Sequence, residues 1–309
     1  MGCRRKHAWE CVRVTSLFVG GNMKEVKESI MKVVFLLTAC VSILAVALIC
    51  IFMFAKGIPA IAKIGPADFL LGEKWKPMQN LFGILPMILG SIYVTVGAVI
   101  IGVPIAFFAA VYMAKFCNPK VYRIIKPAVG LMAGIPSIVY GFFGLVVIVP
   151  MMQELVGGNG KSMLTASILL GIMILPTVIS VAESSIRAVP DSYYEGALAL
   201  GATPERSVFT AVLPGAKSGI LAGVVLGIGR AVGETMAVNM VAGNQPIMPT
   251  HGWKSLVMGV RTLTANIVME MGYAADLHRE ALIATAVVLF VLILIINMCC
   301  SALQRRSGQ

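Results

Sequence analysis

The sequence predicts an all-α polytopic membrane protein with six transmembrane helices and both termini in the cytoplasm. Three observations predict it. Of the 309 residues, 58% are hydrophobic and only 13% charged, with mean hydropathy +0.90; a soluble domain carries about 25% charged residues. Six apolar runs reach the roughly 20 residues that cross a bilayer. The Lys and Arg between those runs divide unevenly, sixteen on the side of the termini and eight on the other, which with Arg230 accounts for all 25. That excess marks the terminal side as cytoplasmic. Lipid is therefore part of the solvent.

The chain opens on a cytoplasmic N-terminal segment, residues 1–32. Met23-Lys24-Glu25 reads as an alternative start, which would leave residues 1–22 outside the native chain. Met1-Gly2-Cys3 resembles a lipidation signal, but Lys6 stands where Ser or Thr is required. The transmembrane body spans 33–302, and 303–309 form a cytoplasmic tail. The runs are Val33–Ala55, Leu85–Ala114, Pro127–Met152, Met163–Ala182, Ser218–Val241 and Ala281–Ala302. The first is too long for a signal peptide and has no small-residue cleavage site after it. Pro104, Pro136 and Pro176 fall within runs and predict kinks.

Several patterns lead nowhere. The net charge of +11 does not gather on one face with aromatics, so nucleic acid is excluded as a partner. The seven cysteines form no CxxC pair and read as small buried hydrophobes, not metal ligands. Gly160-Lys161-Ser162 ends like a phosphate-binding loop, but Leu155 occupies the position of its first glycine and no strand precedes it. The chain thus carries no cofactor or nucleotide site of its own. Gly219, Gly223 and Gly227, then Gly229 and Gly233, form a helix-packing stripe. His7, His251 and His278 are scattered and read as incidental. No catalytic constellation emerges. Ser137, in Gly134-Ile135-Pro136-Ser137, lacks a general base nearby and stands only as a candidate pore-lining hydroxyl.

The loop 186–214 carries the densest local signals. Ser192 and Glu195 have capping-box spacing, and Gly201 suits the C′ position of the helix they would start. Thr203 then offers an N-cap, with Pro204 at the first helical position and Glu205 in the first turn. Two short helices joined by a glycine corner should project into the cytoplasm. The loop reads Glu195-Gly196-Ala197, Gly201, then Leu213-Pro214 at the end. It resembles the EAA loop of ABC importer permeases, with Gly196 in place of an alanine and Ala211 in place of an isoleucine. The resemblance implies that this loop docks on an ATPase subunit and transmits its closure.

Arg230 lies 12 residues into the run from Ser218, about 18 Å along a helix at roughly 1.5 Å per residue, which is close to the bilayer midplane. A charge there costs roughly 2.5–3.5 kcal/mol and marks a pathway when it faces the protein interior. Glu234, four residues on, would share its helix face. A guanidinium fork matches the oxygens of phosphate or sulfate. Glu234 would orient that fork, or accept the proton that hydrogen phosphate carries and sulfate lacks. Mutual neutralisation within the bundle is the alternative.

The stretch Gly229-Arg230-Ala231-Val232-Gly233-Glu234-Thr235-Met236-Ala237 resembles the fifth span of PstC-type phosphate permeases. So do Phe82-Gly83-Ile84-Leu85-Pro86 after Trp75, Ala133-Gly134-Ile135-Pro136-Ser137, and Thr262-Leu263-Thr264 with Glu270-Met271-Gly272. The likeness covers roughly residues 24–303. It implies a type I ABC importer permease architecture and phosphate import without an ATPase site on this chain. It also implies a PstA-type sister permease, a cytoplasmic ATPase dimer that binds ATP and Mg, and an extracytoplasmic phosphate-binding protein. A sulfate or molybdate permease, a proton-coupled anion transporter and a non-transporting sensor subunit remain the alternatives.

Overall fold

The computed structural model describes the backbone of residues 6–249 and 253–307 and the side chains of 27–249 and 255–302. The expectations for residues 1–5 and for the side chains of His7 and His251 lie outside that range. The chain divides into two units, 1–55 and 56–309.

The first unit is the greater part of α1 (Lys6–Ile64). Within it Phe35, Leu36, Ile43 and Ile49 are all exposed, so the helix is apolar all round, as a span surrounded by lipid requires. The Thr38 hydroxyl returns its hydrogen bond to the carbonyls of Val34 and Phe35. No polar group then needs water at that level.

In the second unit, α1 continues past the predicted end of the first run and stops at Gly65, whose φ of 101° suits glycine alone. A short helix α2 (Pro66–Leu71) follows, then a two-stranded antiparallel ribbon, β1 (Trp75–Lys76) against β2 (Leu81–Phe82). The second span is α3 (Leu85–Val111), extended to Phe116 by a π turn. The fourth is α7 (Met163–Arg187), the central helix, packed along both α3 and α10 (Leu213–Gly233). The last is α14 (Asp276–Ser307). Six helices of the described chain are long and apolar enough to cross a membrane.

Two spans depart from the predicted runs. The third run is not one helix. Pro136 has no N–H to give, and the residue before a proline avoids helical backbone; Ile135 is accordingly extended. An amphipathic α4 (Pro119–Gly134) ends there, and the span is Ser137–Val156, built of α5 (Ser137–Phe143), a π turn and α6 (Val149–Val156). The fifth starts earlier and stops earlier than predicted, covering Pro204–Gly233. It comprises α9 (Pro204–Ser207), a π turn at Val208–Val212 and α10. The π turns at Gly144–Ile148 and Val208–Val212 have one cause. Pro150 and Pro214 would each clash with the carbonyl four residues back, Val146 and Thr210, and the widened turn makes room.

Close helix contact rests on glycine where backbones meet. A Cβ on Gly223 would lie 3.2 Å from the Val181 side chain, and one on Gly227 would lie 2.7 Å from Val178. Gly219 presses on Ser185 in the same way. The stripe seen in the sequence thus seats α10 on α7, while Gly229 and Gly233 face open space.

Candidate substrate path and coupling surface

Arg230 sits in the last turn of α10 and donates from Nη1 to the Thr177 hydroxyl of α7 at 3.1 Å. It is half-buried, and this neutral hydroxyl is its one described hydrogen-bond partner. Thr177 precedes Val178, on which Gly227 packs, so the glycine stripe is what brings the guanidinium against α7.

Glu234 does not share its face. The helix ends at Gly233, and Glu234 takes extended backbone (φ −71°, ψ 130°). Its Oε1 accepts from the backbone N–H groups of Thr235 and Ala237 at 3.2 and 3.4 Å, capping the short α11 (Met236–Val241). Its carbonyl accepts from the Thr264 hydroxyl at 3.1 Å. Among the described residues no ion pair joins Arg230 and Glu234. The same-face expectation assumed an unbroken helix to Val241, and the break at Gly233 rotates Glu234 away.

Helix α11 lies on α5: Gly141 touches Ala237 and Met240, and Gly144 touches Val241. Ser137 opens α5 just past the Pro136 break, half-buried, and the Tyr140 hydroxyl, 2.9 Å from the Met132 carbonyl, clasps that break from the other side. The two interrupted segments therefore meet, one beginning at Ser137 and the other just after Glu234. No contact between Ser137 and Arg230 is described.

The loop 186–214 shows the predicted glycine corner, but only its first helix stands apart: α9 runs through the π turn into α10 as the start of the fifth span. Helix α8 (Asp191–Ala199) begins after Pro190 with no side-chain cap, so Ser192 and Glu195 form no capping box. Its end closes as a Schellman motif: Gly201 N–H bonds the Leu198 carbonyl and Ala202 N–H the Ala197 carbonyl, with Gly201 at φ 84°. Thr203 then caps α9 by accepting from Arg206 N–H. Glu195 and Gly196 are exposed, Ala197 is half-exposed, and Leu200 at the tip is 91% exposed. Lys115 ties the loop back to the membrane body through Asp191 at 3.1 Å. Leu213 and Pro214, at the loop's far end, open α10.

Two charged networks escape the sequence reading. On the outer side, Glu270 of α13 (Leu263–Glu270) accepts from Arg261 at 2.6 Å, Trp75 Nε1 at 2.8 Å and pairs with His278 at 2.8 Å. His278 is thus a member of a buried network rather than incidental. Near the coupling loop, Glu183 accepts from Tyr122 at 2.9 Å, from Lys126 at 2.5 Å and from Arg187. The predicted fourth run stops at Ala182, one residue short of this carboxylate, and the topology count treats Lys126 and Arg187 as loop charges. The signal available was Glu183 four residues before Arg187, on one face once the helix continues.

Comparison with known proteins adds the family. Residues 102–309 match the model described as binding-protein-dependent transport system inner membrane component. A phosphate transport system permease protein PstC from Mesorhizobium japonicum is 35% identical over 269 residues, covering 80% of this chain and 81% of its own length. This chain is a PstC-type permease of the binding-protein-dependent transport family. The probable ABC transporter permease protein YqgH of Bacillus subtilis is 34% identical, over 83% of this chain and 85% of its own. The fold of this permease is that of solved ABC importers. An inward-facing MetNI methionine transporter chain superposes with TM-score 0.59 at 19% identity, over 76% of this chain and all of that one. A bacterial alginate transporter chain gives 0.55 at 13%, over 86% and 93%. The permease is a multi-pass inner-membrane component, not the ATPase, and the family's mode of transport calls for a binding protein and an ATPase beside it.

Proposed function

We propose that this permease moves inorganic phosphate into the cytoplasm, driven by ATP hydrolysis on a separate subunit. The observation that carries the reading is Arg230, a guanidinium within a membrane-spanning helix whose one described partner is a neutral hydroxyl. A charge so placed costs several kcal/mol when nothing neutralises it, roughly 2.5–3.5 kcal/mol on insertion scales, and an oxyanion supplies the missing charge in the geometry a guanidinium prefers. Relatives named as phosphate transport permeases share the chain over most of its length.

Arg230 and Glu234 line the substrate path in this reading, with Ser137 at the facing break. Glu234, whose second carboxylate oxygen has no described hydrogen bond, accepts a hydrogen bond from the hydroxyl that hydrogen phosphate carries and sulfate lacks. A PstA-type sister permease completes the path, and an extracytoplasmic phosphate-binding protein loads it. The cytoplasmic ATPase dimer, holding ATP and Mg, grips the loop at Glu195, Gly196, Ala197 and Gly201 and drives α10 through Leu213 and Pro214.

The test is uptake of labelled phosphate into vesicles holding the permease with these partners, with and without lumenal ATP. ATP-dependent uptake that resists excess sulfate is the expected result. Uptake that ignores ATP and follows a proton gradient overturns the proposal, and equal competition by sulfate or molybdate replaces phosphate by a broader oxyanion class.

A further inference from the structure

The Glu183 network holds one cation more than its carboxylate requires. Glu183 is buried, its side chain 2% exposed, while those of Lys126 and Arg187 are 38% and 44% exposed. Arg187 is fixed at three points: Nε on Glu183, Nη2 on the Met113 carbonyl at 2.8 Å, and its plane over the Tyr122 ring at 4.3 Å. Its Nη1 has no described hydrogen bond. Two cations against one acid leave a net positive charge on a rigid guanidinium, and a structural pair would need only one of them.

This cluster stands in line with Arg230. Thr177, Ser180, Ser184 and Arg187 follow one another on α7 at steps of three, four and three residues, which keeps them within an arc of about 80° and spreads them over about 15 Å at 3.6 residues per turn. Thr177 and Ser180 are half-buried, Ser184 and Arg187 exposed. The arc lies between the faces that neighbours cover: α10 glycines press on Val178, Val181 and Ser185, and α4 reaches Glu183 through Tyr122 and Lys126. A polar track thus leads from the Arg230 partner to the end of α7 where the coupling loop begins.

We propose that Arg187 and Lys126 form a second anion station, which takes a phosphate group at the cytoplasmic end of that track. The proposal rests on the reading of this chain as a phosphate permease. Glu183 and Tyr122 are positioning residues: they hold the guanidinium flat and its free edge outward, so the station is preorganised. An anion arriving there restores neutrality and is released into water, while Arg230 is left for the next.

The test uses the assembled transporter in vesicles of phosphatidylcholine alone, with the ATPase side facing the lumen. The measurement is the lumenal phosphate concentration that halves the initial ATP-driven uptake. In the wild type, lumenal phosphate is expected to inhibit more strongly than equal sulfate. Arg187→Gln is expected to raise the halving concentration about tenfold and Lys126→Gln to raise it less. Arg187→Lys, which keeps the charge beside Glu183 and guards against misfolding, should fall between the wild type and Arg187→Gln. A purely structural clasp would lower uptake without moving that concentration, and an unmoved value overturns the station while leaving the function reading intact. A wild type with no ATP-driven phosphate uptake sinks both. If Arg187→Gln differs from the wild type only when anionic phosphatidylglycerol is added, a lipid headgroup is the occupant, and the track is overturned.

Discussion

Arg230 and Arg261 are both guanidiniums in the second unit, and they are treated in opposite ways. Arg261 is 13% exposed and ion-paired: it donates from Nε to the Asn244 carbonyl at 3.0 Å and from Nη1 to Asn266 at 3.0 Å and to Glu270 at 2.6 Å. Glu270 is in turn held by Trp75 and His278. Arg230 has one described bond, to Thr177. A buried charge paired with a carboxylate and bonded at several points holds elements together: here the outer ribbon, α13 and the start of α14. A charge left short of partners is costly to fold, and it repays that cost only when a ligand completes it. The difference is what supports the proposed reading of Arg230 as the working arginine, without any appeal to position in the sequence.

Removing the acid from the ion-paired network should have the largest effect. Glu270→Ala leaves Arg261 buried without its counter-charge and is expected to cost about 3–5 kcal/mol of stability, read as a lower unfolding temperature of the purified transporter. An unchanged unfolding temperature would break the comparison, since the network would then hold nothing. Arg230→Ala should do the reverse. Its unfolding temperature should stay near that of the wild type while ATP-driven phosphate uptake falls about a hundredfold, or about 2.7 kcal/mol of barrier. Thr177→Val removes the hydroxyl that aims Arg230, worth about 1 kcal/mol for a hydrogen bond, and should shift uptake about fivefold. Smallest is Glu234→Gln, which keeps an acceptor for the α11 N–H groups and should change phosphate-over-sulfate preference a few-fold at most. A preference that does not move in competition assays would reduce Glu234 to a helix cap.

The glycine corner of the loop 186–214 was legible in the sequence, because caps act within a turn. Gly201 occupies C′ with positive φ and Thr203 caps the next helix, as their chemistry demands. At its start, α8 begins at Asp191 after Pro190 instead of from a Ser192 capping box, which shifts the boundary by two residues, within the ordinary fraying of helix ends. The candidate site was legible only in its first member. An arginine inside an apolar run announces itself, but its partner Thr177 lies 53 residues away and no local pattern points to it. Glu234 was placed on the wrong face for a related reason: hydropathy continues smoothly through Gly233 to Val241, and a backbone break leaves no trace in it.

By itself, the sequence determined the solvent and the scaffold. Apolar content, the lengths of the runs and the distribution of Lys and Arg specify a six-span helical membrane protein, since each is a short-range property that lipid reads directly. Turn and cap residues likewise specified the corner at Gly201 and Thr203. Only the tertiary structure decided which charges are spent and which are free. Glu183 meets Lys126 across 57 residues and Glu270 meets Trp75 across 195. Such pairings follow from how α7 seats between α3, α4 and α10, and from breaks at Pro136 and Gly233 that redirect the chain within apolar runs. Packing at that range depends on the shape of every neighbour at once, and so a charge count along the chain cannot tell an ion-paired arginine from an unpaired one.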